Sequence, residues 1–511
     1  MKVSLILAAS VVLMLVAGTV VGHFCGMQAS LSLIYHSPLM FILWGALAVC
    51  CLFMLATVGT ERRAATLMIH LSFLIILSGA AVSHFFSREG YIHLEQGVCS
   101  DCFFSKNDAC LVKLPFSVEL ICFNIEFHQG TDAPMDYVSD VMVDGVPYRI
   151  SMNRILRHQG YRFYQSGYDD DRMGSTLAVY YDPVGIGVTY AGYILLIISF
   201  VSYFFRKDSF FRTVLGRVIR LSAPVLTLLL FTQCGGAVSA ADAVDFMNVI
   251  EPVAIIMLVA GVVLSVVYIL NCSTGKPMPA WSVAAPSVIS FPVFVWLSVL
   301  LGLRWAASGH IPLSSGSEMM LVIAWCAVCI TVVLLRKYRL LQPAGLLVAG
   351  FALLVSYIGE PEPDLSQVAP VLDSPLLAVH VSLMMLAYTL FALAAFGGFA
   401  GVLMRRDESR ASHIADICTI LLYPAEFLLV IGTFTGAVWA NVSWGSYWSW
   451  DPKETWALVS IMVYALPLHR RAGMILRSAT AFNLFCAIAF LSILFTYFGV
   501  NFFLGGMHSY A

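Results

Sequence analysis

Thirteen residues near the C-terminal end, "WGSYWSWDPKETW" (444–456), hold four of the ten tryptophans of a 511-residue chain. Trp439 stands just before them, so half the tryptophans fall within eighteen residues. Clustered indoles beside a glycine that permits close approach can form a wide, flat, apolar surface. Such a surface suits a porphyrin, a lipid or a quinone headgroup. A membrane-interface belt is the competing explanation, because tryptophan favours the boundary between lipid and water. A belt accounts for one or two indoles per helix end and leaves the density unexplained. The polar residues have a structural use of their own. Asp451 suits a helix N-cap, Pro452 the first helical position, and Glu454 the place where a capping box needs a carboxylate.

Four of the twelve histidines add to this. His70 and His380 lie inside apolar runs, His469 ends one, and His508 follows the last in "GGMHSY". An ionisable side chain in a membrane span is costly and points to function. Imidazole is a common axial ligand of haem iron. The charge-set topology below puts His70 and His469 near one membrane face and His380 and His508 near the other, as two candidate pairs. A packing histidine satisfied by its neighbours is the alternative for His70 and His380. Arg470 and Arg471 make His469 compatible with a plain interfacial role, and His508 lies close to the end of the chain. The runs that carry His380 and His508 flank the two runs joined by the tryptophan loop, which groups the set.

These residues need a membrane scaffold. The chain is 60% hydrophobic and 11% charged, where soluble proteins carry about 25% charged residues. Its net charge of −2 gives no sign of a nucleic-acid partner. Most of the thirteen cysteines sit in apolar runs, as small buried hydrophobes do. No Cys-x-x-Cys-His occurs, so the chain is not itself a c-type haem carrier. Apolar runs at 4–22, 39–58, 64–86, 186–205, 221–240, 252–270, 283–303, 319–335, 342–358, 376–403, 414–438, 454–469 and 479–502 predict about thirteen transmembrane helices. With the N-terminus cytoplasmic, 18 of the 28 Lys and Arg fall inside, and most others lie in one soluble insert. The tryptophan loop and the C-terminus then face outward. Residues 1–22 lack a clean small-x-small site and are expected to stay as an anchor. Residues 217–241 also resemble a leader, which suggests two ancestral proteins joined at this point.

The insert, 87–185, predicts a small, mostly antiparallel β domain. "FSVELICFNIEF" (116–127) alternates as a strand does. "YVSDVMVDGVPYRISM" (137–152) reads as strand, Asp-Gly turn, strand. "GYRFYQSGYDDD" (160–171) is a third β-prone run. Cys99 and Cys102 in this insert could relay thiols or form a structural disulfide. Cys326 and Cys329 belong to helix packing. Glu251, Glu360, Glu362 and Asp364 are external acids expected on solvated surface. The fold class is thus an all-α polytopic membrane protein with a small extracytoplasmic β-rich domain.

At the level of motifs the chain resembles a known family. Trp444, Gly445, Trp448, Trp450, Asp451 and Glu454 fill every fixed position of the WWD signature, W-G-x-x-W-x-W-D-x-x-E, of haem-handling membrane proteins. "HVSLMMLAYTLF" (380–391) and "YFGVNFFLGGMHSY" (497–510) look like that family's external-histidine segments. "HLSFLIILSGA" (70–80), "YVSDV" (137–141) and "GYRFYQSGYDDD" resemble the ResB component. The whole is similar to fused ResB–CcsA proteins, the System II cytochrome c synthases, although the external domain, at about one hundred residues, is shorter than is usual there. The resemblance implies a ResB-like part (1–205), a junction (206–250) and a CcsA-like part (251–511) with its WWD loop at 439–456. It implies that His70 and His469 receive haem b from the cytoplasmic side and that His380 and His508 ligate its iron at the WWD platform. It implies a bacterial inner-membrane location and haem lyase activity towards the CXXCH of apocytochrome c. A thioredoxin-type thiol-disulfide reductase and membrane lipid are the further partners. A haem exporter or delivery chaperone that forms no thioether bond is the alternative. An assembly factor whose loop binds lipid or quinone is a third possibility.

Overall fold

The computed structural model describes residues 2–57, 64–106, 109–127, 134–206, 209, 211–213, 240–274, 280–333, 341–359, 372, 374–469 and 476–504. All but the last residue of the span expected at 221–240, nearly all of the leader-like stretch, His508, Glu360, Glu362 and Asp364 lie outside these residues.

Twelve long helices are described: α1 (Lys2–Cys25), α2 (Pro38–Thr57), α3 (Ala64–Phe86), α4 (Gly185–Phe205), α5 (Ala240–Thr274), α6 (Ala280–Ser308), α7 (Gly316–Val333), α8 (Gln342–Gly359), α9 (Pro375–Leu403), α10 (Glu408–Trp444), α11 (Pro452–Leu468) and α12 (Ala479–Leu494). Each coincides with a predicted span. Among the described residues, nine helices are long and apolar enough to cross a membrane, by length and composition. Two helices differ most from expectation. Helix α5 starts at Ala240 rather than 252, and α10 runs six residues further at each end than 414–438. Hydropathy registers only the apolar middle, whereas α10 also includes a polar first turn. Asp407 caps that turn by accepting from the Arg410 amide at 3.1 Å. Helix α12 continues as a π-helical stretch, Phe495–Leu504.

Between α3 and α4 the described residues form eight strands: β1 (Arg88–Glu95), β2 (Cys99–Ser105), β3 (Cys110–Phe127), β4 (Pro134–Val143), β5 (Val146–Ile150), β6 (Leu156–His158), β7 (Tyr161–Tyr168) and β8 (Gly174–Tyr181). They form one antiparallel sheet in the order β5-β4-β3-β2-β1-β8-β7-β6. All three strand runs read from sequence lie in it. The Asp144-Gly145 turn has φ of +50° and +80°, the left-handed pair that a two-residue hairpin requires. Alternate residues such as Val118, Leu120, Val141, Phe163, Leu177 and Val179 turn inward and are almost fully buried. The domain is tied to the helices where the chain leaves and returns. Ser83 donates to Asp182 at 2.5 Å, and Asp182 also accepts from the Gly185 amide at 2.8 Å, starting α4.

The helical core centres on the α9–α10 hairpin, with α12 and α7 against it. Helix α1 packs on α11 through Val11, Leu15 and Val459. The N-terminal helices therefore support the helix that follows the tryptophan loop.

Candidate functional site

The loop from Gly445 to Asp451 joins α10 to α11. Gly445 ends α10 in the left-handed region (φ +86°), its amide bonding Asn441 O at 3.1 Å. A Cβ there would also press the Tyr164 ring at 3.2 Å. Trp450 takes φ +61°, which for a bulky residue costs about 1–3 kcal/mol. Two contacts offset this. Tyr35 stacks on the Trp450 indole at 4.5 Å and 8°. Glu454 Oε2 accepts from the Ser449 amide at 2.9 Å, the Ser449 hydroxyl at 3.3 Å and the Asp451 amide at 3.2 Å. Asp451 in turn accepts from the Lys453 amide at 2.9 Å, so the capping box forms as expected. Glu454 does more than cap, since it also holds Ser449, two residues before Asp451.

The tryptophans divide between two tasks. Trp448 and Trp450 meet edge to face at 5.9 Å and line a cleft. Trp439 is buried inside α10, and Trp456 packs on Phe495 while its Nε1 donates to Thr19 at 3.3 Å. Trp444 is the last residue of α10. Residue type cannot separate these uses, because an indole suits a packed interior as well as a ligand surface.

The β domain sits directly on this loop, a contact that no local sequence signal announced. Arg162 on β7 donates to Tyr447 Oη at 2.7 Å and to Asn441 Oδ1 at 3.1 Å. Tyr164 donates to the same Asn441 oxygen at 3.3 Å. Burial pushes the Tyr164 hydroxyl up, which keeps it a donor. Tyr190 of α4 meets Tyr447 Oη at 3.2 Å. Replacing Arg162 by Ala is expected to cost about 1.5–3 kcal/mol of this docking. Limited proteolysis should then cut the connections of the β domain faster. Arg162→Lys should recover only part: both acceptors are met by the one nitrogen Nη1, and a lysine ammonium on its four-carbon stem does not sit where Nη1 does.

At the other end of the helices, His70 of α3 and His469 after α11 come together. Their ring centres are 5.8 Å apart, with planes at 83°. Two imidazoles on opposite sides of one metal stand about 6 Å apart, given metal–nitrogen bonds of about 2 Å. Each Nδ1 is bound to a backbone carbonyl one turn back: His70 to Thr66 O and His469 to Ala465 O, both at 2.8 Å. A carbonyl can only accept, so Nδ1 carries the proton and Nε2 keeps its lone pair for a metal. His380 on α9 shows the same arrangement, with Nδ1 donating to Gly432 O at 2.7 Å. Gly436 makes room for this ring: a Cβ there would lie 2.6 Å from His380 Cε1. Gly436→Val is therefore expected to dislodge His380 and break its bond to Gly432, a change that the His380 ring resonances would report by NMR.

One cleft of about 3140 Å³ joins the two ends. His70 and His469 line one end, and Ser446, Tyr447, Trp448 and Trp450 line the other. Along α11 these ends are about 25 Å apart, from 1.5 Å of rise per residue. The cleft is open-sided, as the exposure of Phe53, Phe85 and Phe86 along it indicates. Val430, Thr433, Phe434 and Ala437 of α10 line it, while Gly432 and Gly436 on another face of α10 hold His380. Helix α10 thus stands between the cleft and His380.

Cys99 and Cys102 are free thiols on β2. Glu119 hydrogen-bonded to Cys99, and Asp101 hydrogen-bonded to Cys102, push both thiols up. A raised thiol pKa leaves less thiolate at a given pH. Alkylation of both at pH 8 is expected to be slower than that of a free thiol, and Glu119→Gln should speed Cys99. These environments fit a thiol relay poorly.

The fold and site together define a polytopic membrane protein in which a soluble β domain rests on a tryptophan-rich loop between buried helices. The family described as Cytochrome C assembly protein matches residues 313–508, and the ResB-like family matches residues 51–183. Protein NrfI of Wolinella succinogenes is 39% identical over 236 residues, which are 44% of this chain and only 26% of NrfI. CcsA proteins, named for cytochrome c biogenesis, are matched over more of their length. That of Chlamydomonas reinhardtii is 32% identical over 45% of this chain and 69% of its own. That of Prochlorococcus marinus is 30% identical over 52% of this chain and 96% of its own. The chain belongs to the CcsA family of cytochrome c biogenesis proteins, with a ResB-like region ahead of the CcsA-like part.

Proposed function

We propose that this protein is a cytochrome c haem lyase: it takes haem b at the His70–His469 end, presents it at the tryptophan loop, and joins it to the CXXCH of apocytochrome c. The observation that carries this reading is the single cleft with two histidines at one end and Trp448 and Trp450 at the other. Among the described residues no three His, Cys, Asp or Glu gather to hold a metal ion. Two imidazoles alone suit a metal that brings its own equatorial ligands, as haem iron does. His380 and His508 are proposed as the external pair and Trp444, Gly445, Trp448, Trp450, Asp451 and Glu454 as the platform. The N-terminus and the His70–His469 end lie on the cytoplasmic side of a bacterial inner membrane, with the β domain and the loop outside. The β domain, docked through Arg162 beside the loop, is placed to meet an incoming apocytochrome. A thioredoxin-type reductase keeps the substrate cysteines reduced.

The bond chemistry is redox-neutral. Each cysteine S–H adds across a haem vinyl: sulfur bonds the carbon nearest the ring and the proton ends on the terminal carbon. The protein's contribution is therefore mainly to hold vinyl and thiol in register. The test co-expresses the chain with an apocytochrome in a strain lacking its own maturation genes. Haem that stays on the reporter after denaturation supports the lyase. Haem bound to this chain with none transferred supports the exporter or delivery alternative. A haem-free purified protein supports a loop that binds lipid or quinone.

A further inference from the structure

Four turns along α3 from His70, on nearly the same face, stands His84. Its ring centre lies 5.0 Å from that of His36, which occupies the connection between α1 and α2. Both rings line the cleft described above. His36 directly follows Tyr35, the residue stacked on Trp450, so this second pair stands at the loop end. Phe41 and Phe85 pack against the His84 ring at 5.2 and 5.1 Å. Arg88 and Lys106 of the β domain line the same cleft, Lys106 bridging to Glu89 at 3.7 Å. Two imidazoles, an aromatic collar and a basic rim are the parts needed by an anionic, metal-bearing macrocycle.

We infer that His36 and His84 form a second bis-imidazole station for haem at the outer mouth of the cleft, between the His70–His469 entry pair and the tryptophan loop. This rests on the reading that haem moves along the cleft. The two pairs are separated by about 21 Å along α3, from fourteen residues at 1.5 Å each. Opening the outer pair by about 1 Å gives the separation that two axial imidazoles need, and both side chains are exposed enough to turn. Because α10 stands between the cleft and His380, a haem leaving the inner pair has to pass this mouth to go round the end of α10. The station exchanges one imidazole pair for another, forms no bond to carbon and leaves the oxidation state of the iron unchanged. Arg88 and Lys106 would hold the propionates, which keeps the opposite, vinyl-bearing edge free.

The test uses the full chain with the reporter apocytochrome, comparing wild type with His36→Ala/His84→Ala. The expected result is near-normal haem on the purified variant, held at His70 and His469, with reporter yield down on the order of tenfold. Imidazole added to the culture should restore much of the yield by replacing the missing ligands. Unchanged yield overturns the station. So does a loss that imidazole fails to restore, since that marks a packing role, and His36→Gln/His84→Gln with full yield would say the same. Wild-type protein purified without haem would sink the haem reading itself, and the station with it.

Discussion

Replacing His70 and His469 together by alanine is expected to remove most of the haem that purifies with the protein and to abolish reporter maturation. The two rings are already at the separation of a shared axial site, 5.8 Å between centres. Their Nδ1 atoms are committed to Thr66 and Ala465, so each presents the nitrogen that can bind iron. Loss of one ligand leaves a single axial bond, and loss of both leaves the inner end of the cleft without an imidazole from either residue. An affinity loss on the order of 100-fold is expected for the double variant. The single variants should be intermediate and recover with added imidazole. Absorption spectra of purified protein check this, because ligation by two imidazoles gives a low-spin iron that alanine cannot support. Unchanged haem content would remove these residues from the entry site.

Glu454→Ala carries the second large effect. The carboxylate holds the amides of Ser449 and Asp451 and the hydroxyl of Ser449. Its loss leaves two partly buried amides unpaired, at about 1–3 kcal/mol each. Trp450 at φ +61° is kept there by these contacts and by Tyr35. Without Glu454 the strained residue relaxes and the Trp448–Trp450 pair loses its fixed geometry. Helix α11 should survive, because Asp451 still caps it and α1 still packs along it. The expected phenotype is a protein that still takes up haem at His70 and His469 but delivers on the order of one tenth of the normal reporter yield. Glu454→Gln, which keeps one acceptor, should fall between. Equal haem loading with normal yield in Glu454→Ala would show that the loop needs no such brace.

Much of the framework was legible in the sequence, for physical reasons. Membrane spans require long apolar runs, so all twelve described helices were located. The Asp144-Gly145 turn and the Asp451–Glu454 cap rest on local chemistry that sequence states directly. The missed parts are long-range. Arg162 reaches Tyr447 across 285 positions, and no property of either residue announces the other. His36 and His84 stand near helix ends, where a histidine is unremarkable until the fold brings them to 5.0 Å. The division of the tryptophans was likewise hidden, since Trp439 and Trp456 differ from Trp448 and Trp450 in surroundings and not in type. What Glu454 does beyond capping depends on the backbone of Ser449, which no motif records.

The most direct test of the central claim is reconstitution. Purified chain loaded with haem is reduced and mixed, without oxygen, with a reduced apocytochrome carrying CXXCH, and the apocytochrome is weighed by mass spectrometry. The account predicts a gain of one haem that survives denaturation and is lost when both cysteines are replaced. Haem that reaches the apocytochrome yet washes away on denaturation, under the same reducing conditions, would contradict it.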